Sequence, residues 1–317
     1  MKNLESNQKN VIIGTGPLGL WVMDELLARR REVTLVNRSG HVSETLPAGV
    51  LLKTADCIDS AQVRQVCGDA DVVFMCGMPP YTEWPEKFPP LMRGIIEGLS
   101  ETGVKFVFGD NLYMYGDTNG QPIHENLPYA AQTRKGKTRA AIAQMLLDAH
   151  QAGKLQSAIG RASDFYGPRV RNALIGEMFF DAVFDGKTAN LLGDVDQPHT
   201  FSYIVDFAKA LVTLSEHEKA FGKAWHVPNP PVTSTRKIVE LIEAELGQSI
   251  RFRTASRFMV SLLGLFNPLI RETVEMMYGW EKPYVVEDGR FTATFGNGIT
   301  PHKEAIRQTV AWFKQRS

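Results

Sequence analysis

The sequence predicts an α/β protein on a doubly wound parallel sheet, followed by a smaller carboxy-terminal region. Three observations predict it. Short apolar runs recur early in the chain: "NVIIG" (10–14), "EVTLVNR" (32–38), "ADVVFMCG" (70–77) and "VKFVFGD" (104–110). Runs this short and apolar suit strands buried on both faces. Helical stretches alternate with them, "LGLWVMDELLARR" after the first and "KFPPLMRGIIEGLSETG" before the fourth, and that alternation suits parallel strands. The third observation is the glycine spacing of "GTGPLG" (14–19), between the first strand and the first helix.

The remaining elements follow in order. "TRAAIAQMLLDAHQAG" reads as a long amphipathic helix, and "LQSAIGRAS" as another buried strand. The arginines ending "LLARR" fall in a last helical turn, where they suit the helix dipole. After residue 168 the alternation loosens. "TSTRKIVELIEAELG" is a helix capped by Ser234 or Thr235 and ended by Gly247. "TPHKEAIRQTVAWFKQ" is another, with Thr300 as N-cap and Pro301 in its first turn. The expected organisation is a nucleotide-binding core over 1–168 and a mainly substrate-binding or lid region over 169–317. Residues 199–214 return to the core.

Composition narrows the function classes. The 317 residues are 44% hydrophobic and 22% charged, enough apolar content for a sizeable core. Lys plus Arg equals Asp plus Glu at 35 each, so no excess charge recruits nucleic acid or an acidic membrane surface. Cys57, Cys67 and Cys76 form no CxxC pair and no metal set, and read as buried small side chains in a reducing compartment. The polar start "MKNLESNQKN" lacks the apolar core of a signal peptide. "FMVSLLGLFNPLI" (258–270) is too short and interrupted to span a bilayer. It reads first as a buried helix or dimer face, next as a lid over a substrate pocket, and last as a membrane contact. The expectation is a soluble cytoplasmic protein with a small-molecule substrate and no membrane span.

Gly14, Gly16, Pro17, Leu18 and Gly19 form the candidate dinucleotide loop. Gly14 allows the tight turn, Gly16 admits a pyrophosphate to the backbone, and Gly19 lets helix and strand pack closely. The helix N-terminus faces the anion. The second strand ends in Asn37-Arg38-Ser39 rather than in the carboxylate that would bind the ribose of NAD. A guanidinium there suits a 2′-phosphate, so NADP is preferred, with NAD as the alternative. Asp56 falls where an adenine ring would be contacted, or is a loop cap. Cys76-Gly77 ends a strand where the backbone would face the nicotinamide half.

With these motifs in place, the chain resembles the extended short-chain dehydrogenase/reductases, in their NAD(P)-dependent epimerase/dehydratase branch. "NLYMYG" (111–116), "RASDFYGPRV" (161–170), "HTFSYIVDFAKALVTL" (199–214) and "AWHVPNPPVTSTRKIVELI" carry the resemblance beyond the glycine loop. It implies hydride transfer between nicotinamide and a carbonyl carbon, with a tyrosine moving the proton, a lysine four residues later supporting it, and a serine or threonine orienting the carbonyl. The serine position falls on Asn111, whose amide can still donate a hydrogen bond. The tyrosine and lysine positions fall on Lys135 and Arg139, or in a shifted register on Thr133 and Lys137. Either pair shares one helix face. Tyr113 is the first candidate to replace the missing tyrosine, ahead of Tyr115 and Tyr129. The histidines show no ligand spacing, and His199 reads as structural. "MFFDAVF" (178–184) together with 258–270 favours an apolar substrate over a nucleotide sugar. The expectation is an NADP-dependent oxidoreductase with a rebuilt proton relay. The alternative is an inactive NADP(H)-binding sensor. By family analogy a homodimer is open.

Overall fold

The computed structural model describes residues 8–316, Leu269 by its backbone alone; most of the polar start lies outside them. Among the described residues the strands are β1 (Lys9–Ile13), β2 (Glu32–Asn37), β3 (Leu51–Thr54), β4 (Val72–Met75), β5 (Lys105–Asp110), β6 (Gln156–Arg161), β7 (Asp164–Tyr166), β8 (Ala189–Leu192), β9 (Phe201–Tyr203), β10 (Ala224–His226) and β11 (Phe252–Ala255). Seven form the central sheet, in the order β10-β6-β5-β4-β1-β2-β3. The pairs from β3 through β1 to β6 are parallel. The strand order reverses between β1 and β4, the place where a doubly wound sheet opens a crevice for a ligand.

Burial explains why these segments are strands. All four residues of β4 are buried, as are four of the five in β1, matching their near-continuous apolar sequence. β3 reads "LLKT", half-buried or exposed, as befits an edge strand.

The helices that carry the argument are α1 (Pro17–Ala28), α2 (Ser60–Cys67), α3 (Trp84–Leu99), α4 (Arg134–Gln151), α5 (Glu177–Phe184), α6 (Ile204–Ser215), α7 (Thr235–Leu246), α8 (Arg257–Gly264) and α9 (Pro268–Val274). Ser234 caps α7 by accepting from the Lys237 N–H, and Gly247 closes it at φ 69°. Two expected helix ends need correction. Arg29 is the C-cap of α1 and Arg30 lies beyond it at φ 59°, so neither is in the last turn; Arg29 instead pairs with Glu25 and Glu216. Thr300 does not cap the last helix, His302–Lys314: its N–H and hydroxyl both bond the Asp206 carboxylate, and Pro301 takes the N-cap position.

The chain divides into two compact units. The first runs to Met114 and adds Arg134–Arg161 and Phe207–Trp225. The second holds Tyr115–Thr133, Ala162–Asp206 and the chain from His226 onward. In the second unit Phe179, Phe180 and Val183 of α5 pack into a core with Phe201, Ile238 and Phe313, leaving Met178 82% exposed. The "MFFDAVF" aromatics therefore fill a core. The expected buried helix within 258–270 is also corrected: Phe258 is 76% exposed, Leu262 53% and Phe266 85%. Among the described residues no helix is long and apolar enough to cross a membrane.

Candidate active site

The glycine loop is shaped by close approach. Gly14 adopts φ +105°, and a Cβ on it would lie 2.4 Å from the Gly77 Cα. A Cβ on Gly19 would lie 2.0 Å from the Gly14 carbonyl oxygen. Any side chain at either position would push helix and strands apart. At Gly16 a Cβ would meet nothing within 4 Å. Open space there, at the N-cap of α1 with no side-chain cap, fits a pyrophosphate approaching the first helical turn. The N–H groups of Cys76 and Gly77 both bond the Ile13 carbonyl, at 2.9 Å each, fixing the end of β4 beside the loop.

Asn37 ties the end of β2 to this loop. Its Nδ2 donates to Thr15 Oγ1 and to the His41 carbonyl, both at 2.8 Å, and its Oδ1 accepts from the Gly40 N–H at 2.7 Å. The amide is thus spent on organising the turn, to which Ser39 adds a long bond at 3.4 Å. Arg38 projects from the same turn, exposed. Asp56 accepts from the Ile58 N–H, the geometry of a loop cap.

At the carboxyl ends of β4 and β5 a second cluster forms around Trp84, which is buried. The Arg139 guanidinium lies 4.1 Å from the Trp84 ring centroid and 4.5 Å from that of Phe88, within cation–π range. Arg139 Nη1 donates to Asp110 Oδ1 at 3.0 Å, and Arg161 Nε approaches Asp110 Oδ2 at 3.4 Å. Burial pulls the Arg139 pKa below its ordinary value, and Asp110 opposes that shift. Tyr81 meets Trp84 edge-on at 5.0 Å, and Tyr113 lies against it at 6.1 Å. The Lys135 ammonium sits 4.3 Å over the Tyr81 ring.

Lys135 and Arg139 are buried on one face of α4, whereas Lys137 is exposed. Of the two pairs offered by sequence, Lys135 and Arg139 form the one joined to the aromatic cluster. Asn111 follows β5, and its Oδ1 accepts from the Tyr113 N–H at 3.1 Å. Its Nδ2 therefore remains as the group able to donate.

The other candidates have structural settings. Tyr115 bonds His226 Nε2 at 2.9 Å and packs on Tyr129. His199 Nε2 bonds Asp164 at 3.0 Å, and its ring stacks 4.4 Å from Trp280. Burial pushes the Cys57 thiol up to about 11 and the Cys67 thiol up to about 12, and raises Cys76 as well. None is poised as a nucleophile. Sequence reasoning missed Trp84, Tyr81 and Asp110. The signal for Trp84 was Pro85 directly after it, which marks a helix start earlier than the apolar periodicity suggests.

Comparisons with known proteins agree with this architecture. The model of the NAD dependent epimerase/dehydratase family matches residues 11–227. An uncharacterized UDP-glucose epimerase, YtcB, of Bacillus subtilis (strain 168) is 23% identical over 194 residues, which are 58% of this chain and 61% of that protein. The match thus spans about three fifths of the curated relative. The dTDP-glucose 4,6-dehydratase of Bacillus anthracis str. Ames, solved with NAD, superposes with a TM-score of 0.81 at 14% identity, covering 98% of this chain and 97% of that one. The UDP-glucuronic acid 4-epimerase of Bacillus cereus, solved with UDP-glucuronic acid and NAD, gives 0.80 at 17% identity, covering 98% and 100%. At such identities the superpositions establish the fold. With the family model matching well over half of its length, this chain belongs to the NAD dependent epimerase/dehydratase family.

Proposed function

We propose that the chain is an NADP-dependent oxidoreductase of the epimerase/dehydratase type, acting on a carbonyl or alcohol of a small, apolar substrate. The observation that carries this reading is the cluster at the ends of β4 and β5. There Asn111, Tyr113, Lys135 and Arg139 are linked through Trp84 and Tyr81.

The glycine loop suits the cofactor pyrophosphate, with Gly14, Gly16, Pro17, Leu18 and Gly19 forming its wall and Cys76-Gly77 bordering the nicotinamide half. Bound there, the nicotinamide supplies hydride exchange with a carbon centre. The protein does the rest. Asn111 Nδ2 donates to the substrate oxygen and orients it. Tyr113 or Lys135 passes the proton. Arg139 keeps positive charge beside that exchange, held by Asp110 rather than free to swing toward a ribose. Arg38 supports NADP over NAD, because an exposed guanidinium stands at the end of β2 with no carboxylate at Asn37 to repel a 2′-phosphate.

The α5 aromatics lend no support to an apolar substrate, since they fill a core; that part of the reading rests on the apolar sequence of 258–270. The relatives are named for UDP-glucose, UDP-glucuronic acid and dTDP-glucose, so nucleotide sugars belong in any substrate panel. An NADPH-oxidation assay over small aldehydes, ketones and nucleotide sugars tests the reading. A second reading, an NADP(H)-binding sensor without catalysis, is favoured by one observation: the Arg139 guanidinium is buried, tied to Asp110 through Nη1 and covered by the faces of Trp84 and Phe88.

A further inference from the structure

Helix α8 is packed with its apolar face outward. Val260 and Gly264 fall on one side of it and are buried. Gly264 makes the closeness to α9 feasible, since a Cβ there would lie 2.9 Å from the Arg271 Cα. On the other side stand Phe258, Met259, Leu262 and Leu263, and the turn that follows adds Leu265 and Phe266. All six are exposed, from 46% at Met259 to 85% at Phe266. Helical spacing gathers 258, 259, 262, 263 and 266 into one continuous stripe. Single exposed apolar residues are ordinary, but a contiguous group of six marks an interaction surface.

The charges around this stripe say what covers it. From Gly247 to Arg271 the chain contains no Asp or Glu and carries Arg251, Arg253, Arg257 and Arg271. All four are exposed. Arg251 and Arg253 bond neutral acceptors, the Gly186 carbonyl and the Asn190 side chain, and keep their charge uncompensated by them. Arg257 pairs with Glu281, and Glu272 and Glu275 lie half-buried just beyond Arg271. In a chain whose positive and negative side chains balance at 35 each overall, this segment is locally basic.

We propose that α8 and the turn after it form a docking surface for an anionic lipid bilayer. Phe, Leu and Met side chains enter the headgroup boundary while the flanking arginines meet lipid phosphates. Eight residues make a helix about 12 Å long, far short of the ~30 Å hydrocarbon thickness. The segment therefore lies in the interface and does not span. A second copy of the chain is a poorer occupant. A two-fold contact sets a patch against itself, which would bring the same arginines face to face. The surface uses none of the residues assigned to proton transfer or cofactor binding, and it gives to the bilayer the apolar side chains of 258–270 on which the apolar-substrate reading drew.

Co-sedimentation of the full chain with vesicles tests this. One set is phosphatidylcholine alone, and the other is phosphatidylcholine with phosphatidylglycerol at two to one. The expected result is binding to the anionic vesicles, weakened by salt and at least about tenfold weaker to the neutral ones. The variant Phe258→Ser/Leu262→Ser/Phe266→Ser should lose at least about tenfold in vesicle affinity with an unchanged melting temperature, because these side chains are exposed. Arg253→Glu/Arg271→Glu should lose anionic selectivity. Equal binding by wild type and the serine variant, equal affinity for the two vesicle sets, or no vesicle binding at all would overturn the proposal. So would a dimer in light scattering that the serine variant dissociates.

Discussion

The Arg139 guanidinium lies 3.0 Å from the Asp110 carboxylate, with both side chains almost wholly buried. This pair joins α4 to the end of β5, and it fixes the helix face that also presents Lys135. Removing one partner of a buried pair leaves an uncompensated charge, typically a loss of about 3 kcal/mol or more. Asp110→Asn should therefore lower stability by about that amount in denaturant unfolding, while Arg134→Ala, an exposed pair with Glu86, should change it by less than about 1 kcal/mol. Equal effects would show that the Asp110 pair does not organise this region.

Gly16 separates binding from folding. Because nothing lies within 4 Å of a Cβ built there, Gly16→Val should leave the melting temperature nearly unchanged. It should also weaken NADP binding by at least about tenfold, roughly 1.4 kcal/mol. Gly14→Val, at φ +105° and against Gly77, should instead destabilise the fold itself. Calorimetric titration alongside thermal melting reads both effects.

The exposed Arg38 bears on cofactor choice. Arg38→Asp should weaken NADP binding by at least about tenfold, with a much smaller change for NAD. Equal losses would remove Arg38 from recognition of the 2′-phosphate.

Proton transfer is tested by two conservative changes. Tyr113→Phe removes only the phenol oxygen, and Lys135→Met keeps the length of the side chain without its charge. The residue that carries the proton should lower turnover about a hundredfold or more when changed, with NADP affinity held within about twofold. Turnover unaffected in both variants would exclude the proposed relay.

Much of this architecture was legible in the sequence because burial on both sides of a parallel sheet imposes apolar runs. β1, β2, β4, β5 and β6 all carry that imprint. β3 does not, since an edge strand of sequence "LLKT" has one protected face at most. β10 is three residues long, too short for any period. Thr300 looked like a cap because cap preference is local, whereas its actual partner, Asp206, is far away in sequence. The glycine loop was readable since each glycine answers a local steric demand. The Trp84 cluster was not, because it depends on β4, β5, α3 and α4 meeting at one end of the sheet. Whether the apolar face of 258–270 is buried or turned outward was left open for a related reason. An apolar stripe at helical spacing specifies a face and says nothing of which side meets solvent.

The most direct test of a catalytic role measures NADPH binding and NADPH oxidation on the same preparation, across the carbonyl and nucleotide-sugar panel. Tight binding accompanied by substrate-dependent oxidation, lost in Tyr113→Phe or Lys135→Met, is the predicted result. Equally tight binding with no cofactor oxidation by any carbonyl, no cofactor reduction by any alcohol and no conversion of any nucleotide sugar would contradict it and leave a protein that senses the cofactor without using it.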